Sequence, residues 1–239
     1  MGRRTGEQTK ALLIRAGMQM LLERGVSAGV QHIRLQDVLR RTGLTTGAAY
    51  RLWADQSDYQ RDLAVAMMRM RVAGPADTVR SAVADLIGTG ATSDEVICAG
   101  SLAHVRTTTS DLDDPTSVLD SQSFLIALAL RATAHTWPEL QEAAHARHRE
   151  SVAGFADFYS ALFDAFDRRL KTGLSITDFS EALAALAEGF AIRALQGLEH
   201  PMYDFTEEDE APTGQWTLMG IAVRALVNEF TVPKEHAES

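Results

Sequence analysis

The residues with the clearest potential for chemistry lie between positions 43 and 53, in the sequence GLTTGAAYRLW. This segment combines two hydroxyls, several small side chains, a tyrosine and an arginine, which are groups that bind phosphates and base edges. The chain contains no nucleophile elbow, P-loop, dinucleotide-binding glycine motif or HExxH motif. We therefore expect nucleic-acid recognition and not an enzyme.

The surrounding pattern predicts a helix-turn-helix that positions these groups. They follow a predicted helix whose apolar face is formed by Leu35, Val38 and Leu39. Thr42 and Gly43 end this helix, and Leu44 is the apolar residue expected to fill the turn. Thr45 is the predicted N-cap of a short second helix over about 46–52, and Asp55 caps the next helix. Such a motif places its second helix in the DNA major groove.

Residues 43–53 resemble the signature of the tetracycline-repressor (TetR) family, which runs roughly G-V-S-x-G-x-L-Y-x-H-F. The resemblance implies an all-α fold, with a three-helix DNA-binding head and linking helix at 1–75 and a helical ligand-binding and dimerisation body at 76–239. It also implies a ligand-responsive, sequence-specific transcriptional regulator, a repressor that a small molecule releases from its operator.

The resemblance further implies which residues meet double-stranded DNA. Tyr50 contacts a phosphate, Arg51 reaches guanine or phosphate, and the small residues after Thr45 lie nearest the base edges. Arg34 and Gln36 begin the preceding helix, where a phosphate can meet the helix N-terminus. The predicted contact set is Arg34, Gln36, Thr45, Thr46, Gly47, Ala48, Tyr50 and Arg51.

Three positions depart from the family pattern. Lysine is common where Thr46 stands, histidine where Leu52 stands, and a phosphate-binding lysine where Gln56 stands. The arginines that can compensate are Arg3, Arg4, Arg34, Arg40, Arg41 and Arg51. The segment 25–34 is longer than the family's loop, and we expect either a surface loop or an extra DNA contact there.

Charge is distributed unevenly along the chain. Residues 1–75 carry a net charge of +6 and residues 76–239 a net charge of −15. This asymmetry favours a basic head that binds a polyanion and an acidic body outside the footprint.

Composition limits the remaining possibilities. The single cysteine, Cys98, excludes an intrachain disulfide and fits a reducing compartment. We predict a buried, inert thiol, a cytoplasmic and nucleoid-associated protein, and no membrane span or signal peptide, since no run of 18 apolar residues occurs. No cofactor is expected beyond a small-molecule effector.

The body is predicted to be entirely helical, without strands. The predicted helices lie near 77–88, 93–107, 121–136, 138–170, 176–198 and 214–231. Two polar segments, 107–120 and 204–214, are predicted to be loops.

The resemblance implies an isologous homodimer through the helices near 176–198 and 214–231. It also places an effector between the central helices, where the candidate lining residues are His104, Phe124, Leu128, Arg131, His135, Trp137, Phe155 and Tyr159. Ordinary core packing is the alternative for each of them. His145-x-x-His148 has metal-ligand spacing, but no further ligand is identifiable, so no metal is expected.

Two other functions stay open: a DNA-binding protein controlled by a partner protein, and a helical enzyme whose motif match is accidental. An operator footprint released by a small molecule distinguishes the regulator from both.

Overall fold

The computed structural model of the chain describes residues 5–25, 29–70, 75–108, 115–205 and 214–234. Its N-terminal helices are α1 (Gly6–Arg24), α2 (Leu35–Thr42), α3 (Thr46–Ala49) and α4 (Gln56–Arg69). The later helices are α5 (Pro75–Gly88), α6 (Ser93–Thr108), α7 (Pro115–Ala132), α8 (Pro138–Ala165), α9 (Ile176–Leu195) and α10 (Leu218–Phe230). The predicted all-α class is confirmed.

The helix starts follow directly from local sequence. Thr5 and Gln8 form a capping box at α1, in which each side chain bonds the other residue's main-chain N–H. Ser175 and Asp178 repeat this arrangement at α9. Asp55 accepts a hydrogen bond from the Asp58 N–H, so it caps α4 as predicted.

The prediction of a body without strands is wrong. Four short strands form two antiparallel pairs: β1 (Arg168–Leu170) with β4 (Thr231–Pro233), and β2 (Met202–Phe205) with β3 (Gly214–Thr217). β1 occupies the end of the predicted helix 138–170, and β3 the start of the predicted helix 214–231. Asp167, with φ of 50°, turns the chain between α8 and β1, so the residues that follow it leave the helical conformation.

The predicted loops are also shorter than expected. Residues 115–120 lie in α7, 204–205 in β2, and Gly214 in β3. The central parts of both loops, 109–114 and 206–213, lie outside the described residues.

The chain divides into two compact units. The first comprises Met1–Val72 and Gln122–Arg147, and the second comprises Ala73–Ser121 and His148–Ser239. The segment 122–147, which the sequence analysis placed in the body, is thus grouped with the N-terminal helices.

One apolar core holds the first unit together. Leu13 of α1, Val38 of α2 and Leu63 of α4 are fully buried in it, and Leu130 of α7 and Leu140 of α8 join them. Arg147 of α8 donates two hydrogen bonds of 3.1 Å to the carbonyls of Met68 and Met70, at the C-terminal end of α4. The end of α4 is therefore fixed by both packing and hydrogen bonds.

The second unit has its own aromatic core between α8, α9 and α10. The Phe179 ring packs edge-on against Tyr159, Phe163 and Phe230, with centroid distances of 5.2, 5.0 and 5.7 Å. Phe179 is 1% exposed. Edge-to-face rings stabilise a core beyond the area they bury, so these contacts fix the relative positions of the three helices.

Candidate nucleic-acid interface

The turn between α2 and α3 has the geometry that the sequence predicts. Gly43 adopts φ 66° and ψ 24°, the left-handed conformation that ends a helix and is most easily adopted by glycine. Leu44 packs against the core of the first unit. Residues 45–52, the recognition segment, therefore leave α2 at a fixed angle.

The second helix differs in detail from the prediction. It ends at Ala49, and Tyr50 is its C-cap residue. Thr45 is the N-cap residue, as predicted, although its side chain makes no capping hydrogen bond. The Thr45 hydroxyl is exposed instead.

A groove of about 420 Å³ opens beside α3. Four of the residues predicted to contact DNA line it, namely Arg34, Gln36, Thr46 and Tyr50. The other lining residues are Gln31, Leu35, Leu39, Gln56 and Gln60. The other four predicted contact residues do not line this groove, although they are exposed or half-exposed in the same segment: Thr45, Gly47, Ala48 and Arg51.

The side chain of Gln56 fastens the start of α2. Its Oε1 accepts a hydrogen bond of 2.8 Å from the Leu35 N–H, and its Nε2 donates one of 2.9 Å to the Ile33 carbonyl. The N-cap residue of α2, Arg34, contributes no side-chain cap. Gln56 therefore satisfies a helix-end N–H that would otherwise lack an intrahelical partner. This explains physically why a glutamine suits the position where the resembled family often has lysine.

The long segment before α2 is partly built into the core. Val30 and Ile33 are buried, with exposures of 7% and 0%. Gln60 donates a hydrogen bond of 2.8 Å to the Gln31 carbonyl, and Arg24 donates one of 2.8 Å to the His32 carbonyl. The insertion thus presents Gln31 at the groove, a residue the sequence analysis did not select. Residues 26–28 lie outside the described part.

The arginines divide into two groups. Arg41 forms two hydrogen bonds of 2.6 Å with the Glu23 carboxylate, and Arg40 lies 3.2 Å from Asp37. The Arg41 pair lowers the pKa of Glu23. Within the described part of the chain, Arg34 and Arg51 have no carboxylate at ion-pair distance. Arg3 and Arg4 lie outside the described residues.

Trp53 and Tyr59 pack in the core beside the recognition segment. Trp53 is 4% exposed, and its Nε1 donates a hydrogen bond of 2.7 Å to Asp62. Its ring meets Tyr59 edge-on at 5.0 Å. Tyr50 is 59% exposed, so the two aromatic residues on either side of Arg51 have opposite roles. Trp53 is therefore a core residue.

The residues predicted to line an effector site fall in both units. Phe124, Leu128, Arg131, His135 and Trp137 belong to the first unit, and His104, Phe155 and Tyr159 belong to the second. Leu128 is buried and His135 is exposed. Phe155 stacks on Tyr159 at 5.5 Å, and the Arg80 guanidinium lies 5.2 Å from the Phe155 centroid.

Burial perturbs the pKa values of two of these residues, His104 and Tyr159. Burial lowers the pKa of the His104 imidazole to about 4, although the Ala187 carbonyl opposes that shift. Its Nε2 lies 3.1 Å from that carbonyl, which can only accept, so Nε2 carries the proton. His104 is therefore neutral at pH 7. Burial also raises the pKa of the Tyr159 hydroxyl.

Two other features of the sequence have local explanations. His148 pairs with Glu181 at 2.9 Å, and within the described ranges no three His, Cys, Asp or Glu side chains are placed to hold a metal ion. Burial, followed by the charge of Asp94, raises the pKa of the Cys98 thiol to about 11, so this thiol is a poor nucleophile at pH 7. Among the helices that the structure describes, none has the length and apolarity to cross a membrane.

No family model and no curated protein matches the sequence. Similar solved structures include a protein from Rhodococcus named as a TetR-family transcriptional regulator, which is 16% identical, with a TM-score of 0.49 over 93% of this chain and 97% of that one. A protein named as a transcriptional regulator, from Pseudomonas aeruginosa, is also 16% identical, with a TM-score of 0.48 over 95% of this chain and 92% of its own.

A third similar structure is NalD, the secondary repressor of the MexAB-OprM multidrug efflux pump in Pseudomonas aeruginosa. It is 22% identical, with a TM-score of 0.41 over 80% of this chain and 87% of its own. All three are distant similarities, so the function of this chain has to be inferred from its own residues.

Proposed function

We propose that the protein is a sequence-specific, double-stranded DNA-binding transcriptional regulator and not an enzyme. The observation that carries this proposal is the groove beside α3, which combines Arg34, Gln36, Thr46 and Tyr50 on one surface of a helix-turn-helix. Arg34, at the start of α2, and Arg51, just after α3, have no carboxylate at ion-pair distance in the described part of the chain, and Gly47 and Ala48 give α3 two small side chains. This combination fits phosphate contacts around a base-reading helix.

Each proposed contact has a physical basis in this geometry. The exposed Tyr50 hydroxyl donates to a phosphate, and the Gln36 N–H, which has no acceptor within the described residues, does the same at the start of α2. The base edges are approached by Thr46, Gly47 and Ala48, and Thr45 lies beside the DNA backbone. Arg51 reaches either guanine or phosphate.

Binding of wild-type protein and variants to a selected duplex tests these assignments. Tyr50→Phe removes one phosphate contact and weakens binding by about 1 kcal/mol for every sequence. Arg51→Ala lowers the salt slope by about one unit if Arg51 meets phosphate, or relaxes one base position if it meets guanine. Arg149→Ala, on the exposed side of α8, is the matched control. If neither head variant changes binding, the recognition segment is assigned wrongly.

The proposal includes a homodimer through α9 and α10, which presents two recognition helices to a pseudo-palindromic operator. Ala185, Gly189 and Ile192 are exposed at helical spacing on α9, and a Cβ at Gly189 meets open space. This small, apolar stripe permits close approach of a second helix. Sedimentation of Ile192→Asp should show monomers, while Ile87→Asp, at another exposed isoleucine on α5, should stay dimeric. Equal behaviour of the two variants contradicts the assignment.

The proposal also includes repression that a small molecule relieves in the cytoplasm. Its support is α8, a single helix that carries Arg147 at the end of α4 and the candidate lining residues Phe155 and Tyr159. An effector must bind one state of the protein more tightly than the other to release the operator. Screening of small molecules against the protein–operator complex tests this part, and a complex that no compound dissociates favours control by a partner protein.

A further inference from the structure

Three buried polar atoms of the second unit have no hydrogen-bond partner among the residues that the structure describes. They are Nε of Arg193 and both ring nitrogens of His200. Buried polar groups are almost always paired, because an unpaired group has lost its bonds to water without replacement. Two neighbouring side chains with unpaired atoms therefore point to a ligand.

The chain brings these two side chains together by turning back at the end of α9. Gly197, with φ of 70°, makes the turn, and the Leu198 N–H bonds the Arg193 carbonyl at 3.0 Å. The His200 ring then lies alongside Phe190, with a centroid distance of 5.9 Å and an angle of 32° between the rings. Phe190 lies about one turn before Arg193 on the same helix, so the three side chains form one cluster.

The cluster is electrostatically incomplete. Burial, and then the positive charge of Arg193, lower the pKa of His200. In the described part of the chain, neither Arg193 nor His200 has a carboxylate at ion-pair distance. A guanidinium supplies only donors, and an imidazole supplies at least one. The missing group is therefore an acceptor, and a negative charge suits it best.

We propose that Arg193 and His200 bind the carboxylate of a small organic acid, with the apolar part of the acid beside Phe190. The planar guanidinium matches the two oxygens of a carboxylate, and a charge-assisted bond is stronger than a neutral one. Exposed apolar side chains near the cluster in sequence, Leu198 and Met202, suit an acid with an apolar part. The proposal deepens the proposed function by giving the chemical class of an effector, and its regulatory meaning rests on that function.

Benzoate is the probe, and benzamide is its uncharged control of similar shape. Binding to the full-length protein is measured by isothermal titration calorimetry and by the ring nitrogen shifts of His200. Wild-type protein should bind benzoate saturably and benzamide at least about tenfold more weakly, because only benzoate supplies a charged acceptor. Arg193→Gln and His200→Gln should each weaken benzoate by about tenfold or more. Arg149→Gln on the exposed side of α8 should leave it unchanged.

Several outcomes overturn the proposal. They are no saturable binding of benzoate, equal binding of benzamide, or benzoate binding that survives both Arg193→Gln and His200→Gln. Weakened dimerisation of Arg193→Gln without benzoate binding also overturns it, because the acceptor is then supplied by a second copy of the chain. Arg193→Lys, which keeps the charge and removes Nε, gives a second measure if Arg193→Gln fails to fold. Duplex binding is measured separately. Benzoate binding without DNA binding refutes only the proposed function, and DNA binding without benzoate binding refutes only this inference.

Discussion

Replacement of Gln56 by alanine should loosen the start of α2 without removing a DNA contact. The side chain makes two hydrogen bonds to main-chain atoms, of 2.8 Å to the Leu35 N–H and 2.9 Å to the Ile33 carbonyl. Each such bond contributes about 0.5–1.5 kcal/mol net, so Gln56→Ala should lower the free energy of unfolding by about 1–3 kcal/mol. No side-chain cap replaces the lost bond, because Arg34 supplies none.

Two measurements check this prediction. Urea unfolding followed by circular dichroism gives the loss of stability, and amide hydrogen exchange gives the loss of protection at Leu35 itself. Gln141→Ala, at an exposed glutamine of α8, is the matched control and should be neutral. Gln56→Glu keeps an acceptor for the Leu35 N–H and should retain its protection.

Gln36→Ala separates a positioning role from a contact role. Gln36 is exposed and makes no side-chain hydrogen bond among the described residues, so its loss should leave the free energy of unfolding within about 0.5 kcal/mol of wild type. Its loss should nevertheless weaken duplex binding, because the Gln36 side chain is exposed in the groove, whereas both polar atoms of the Gln56 side chain are bonded to the main chain. Unchanged stability of Gln56→Ala, or equal destabilisation by Gln36→Ala, would refute the account of this helix start.

Three further perturbations follow from the packing. Gly17→Ala places a methyl group against the Tyr59 hydroxyl and should cost about 1–3 kcal/mol of stability in urea unfolding, and Tyr59→Phe in the same chain should restore part of that loss. The pKa of His104 is about 4 in the folded protein and 6.5 for a free histidine side chain, so the unfolded chain binds the proton first as pH falls. The free energy of unfolding should therefore fall by about 3 kcal/mol between pH 6.5 and 4, and His104→Gln should remove that part of the pH dependence. Arg147→Met should lower stability by about 1–3 kcal/mol and raise amide exchange in the last turn of α4, because two carbonyl bonds are lost.

The sequence predicted the parts of this fold that depend on local chemistry. The Thr5 and Ser175 capping boxes, the left-handed Gly43 and the Asp55 cap all lie where a few neighbouring residues decide the backbone. It failed where distant residues decide. β1 and β4 pair across a separation of about sixty residues, and Arg168 donates to the Thr231 hydroxyl at 2.6 Å. The local sequence of a three-residue strand does not reveal its partner, because so short a strand forms only where the partner pairs with it.

The candidate site shows the same division. Arg34, Gln36, Thr46 and Tyr50 were found from the motif, and the structure places them on one groove. Gln31 and Gln60 were missed, because their position depends on the buried Val30 and on a hydrogen bond between segments far apart in sequence. Arg193 and His200 were missed for a similar reason, since only the turn at Gly197 brings them together.

The central claim is that the helix-turn-helix reads duplex DNA, and selection from a random duplex library by the purified full-length protein tests it most directly. The account predicts enrichment of a pseudo-palindromic site, binding with a steep salt dependence, and loss of affinity in Tyr50→Phe. Sequence-independent binding that is equally strong for Tyr50→Phe, or no binding at all, would contradict it.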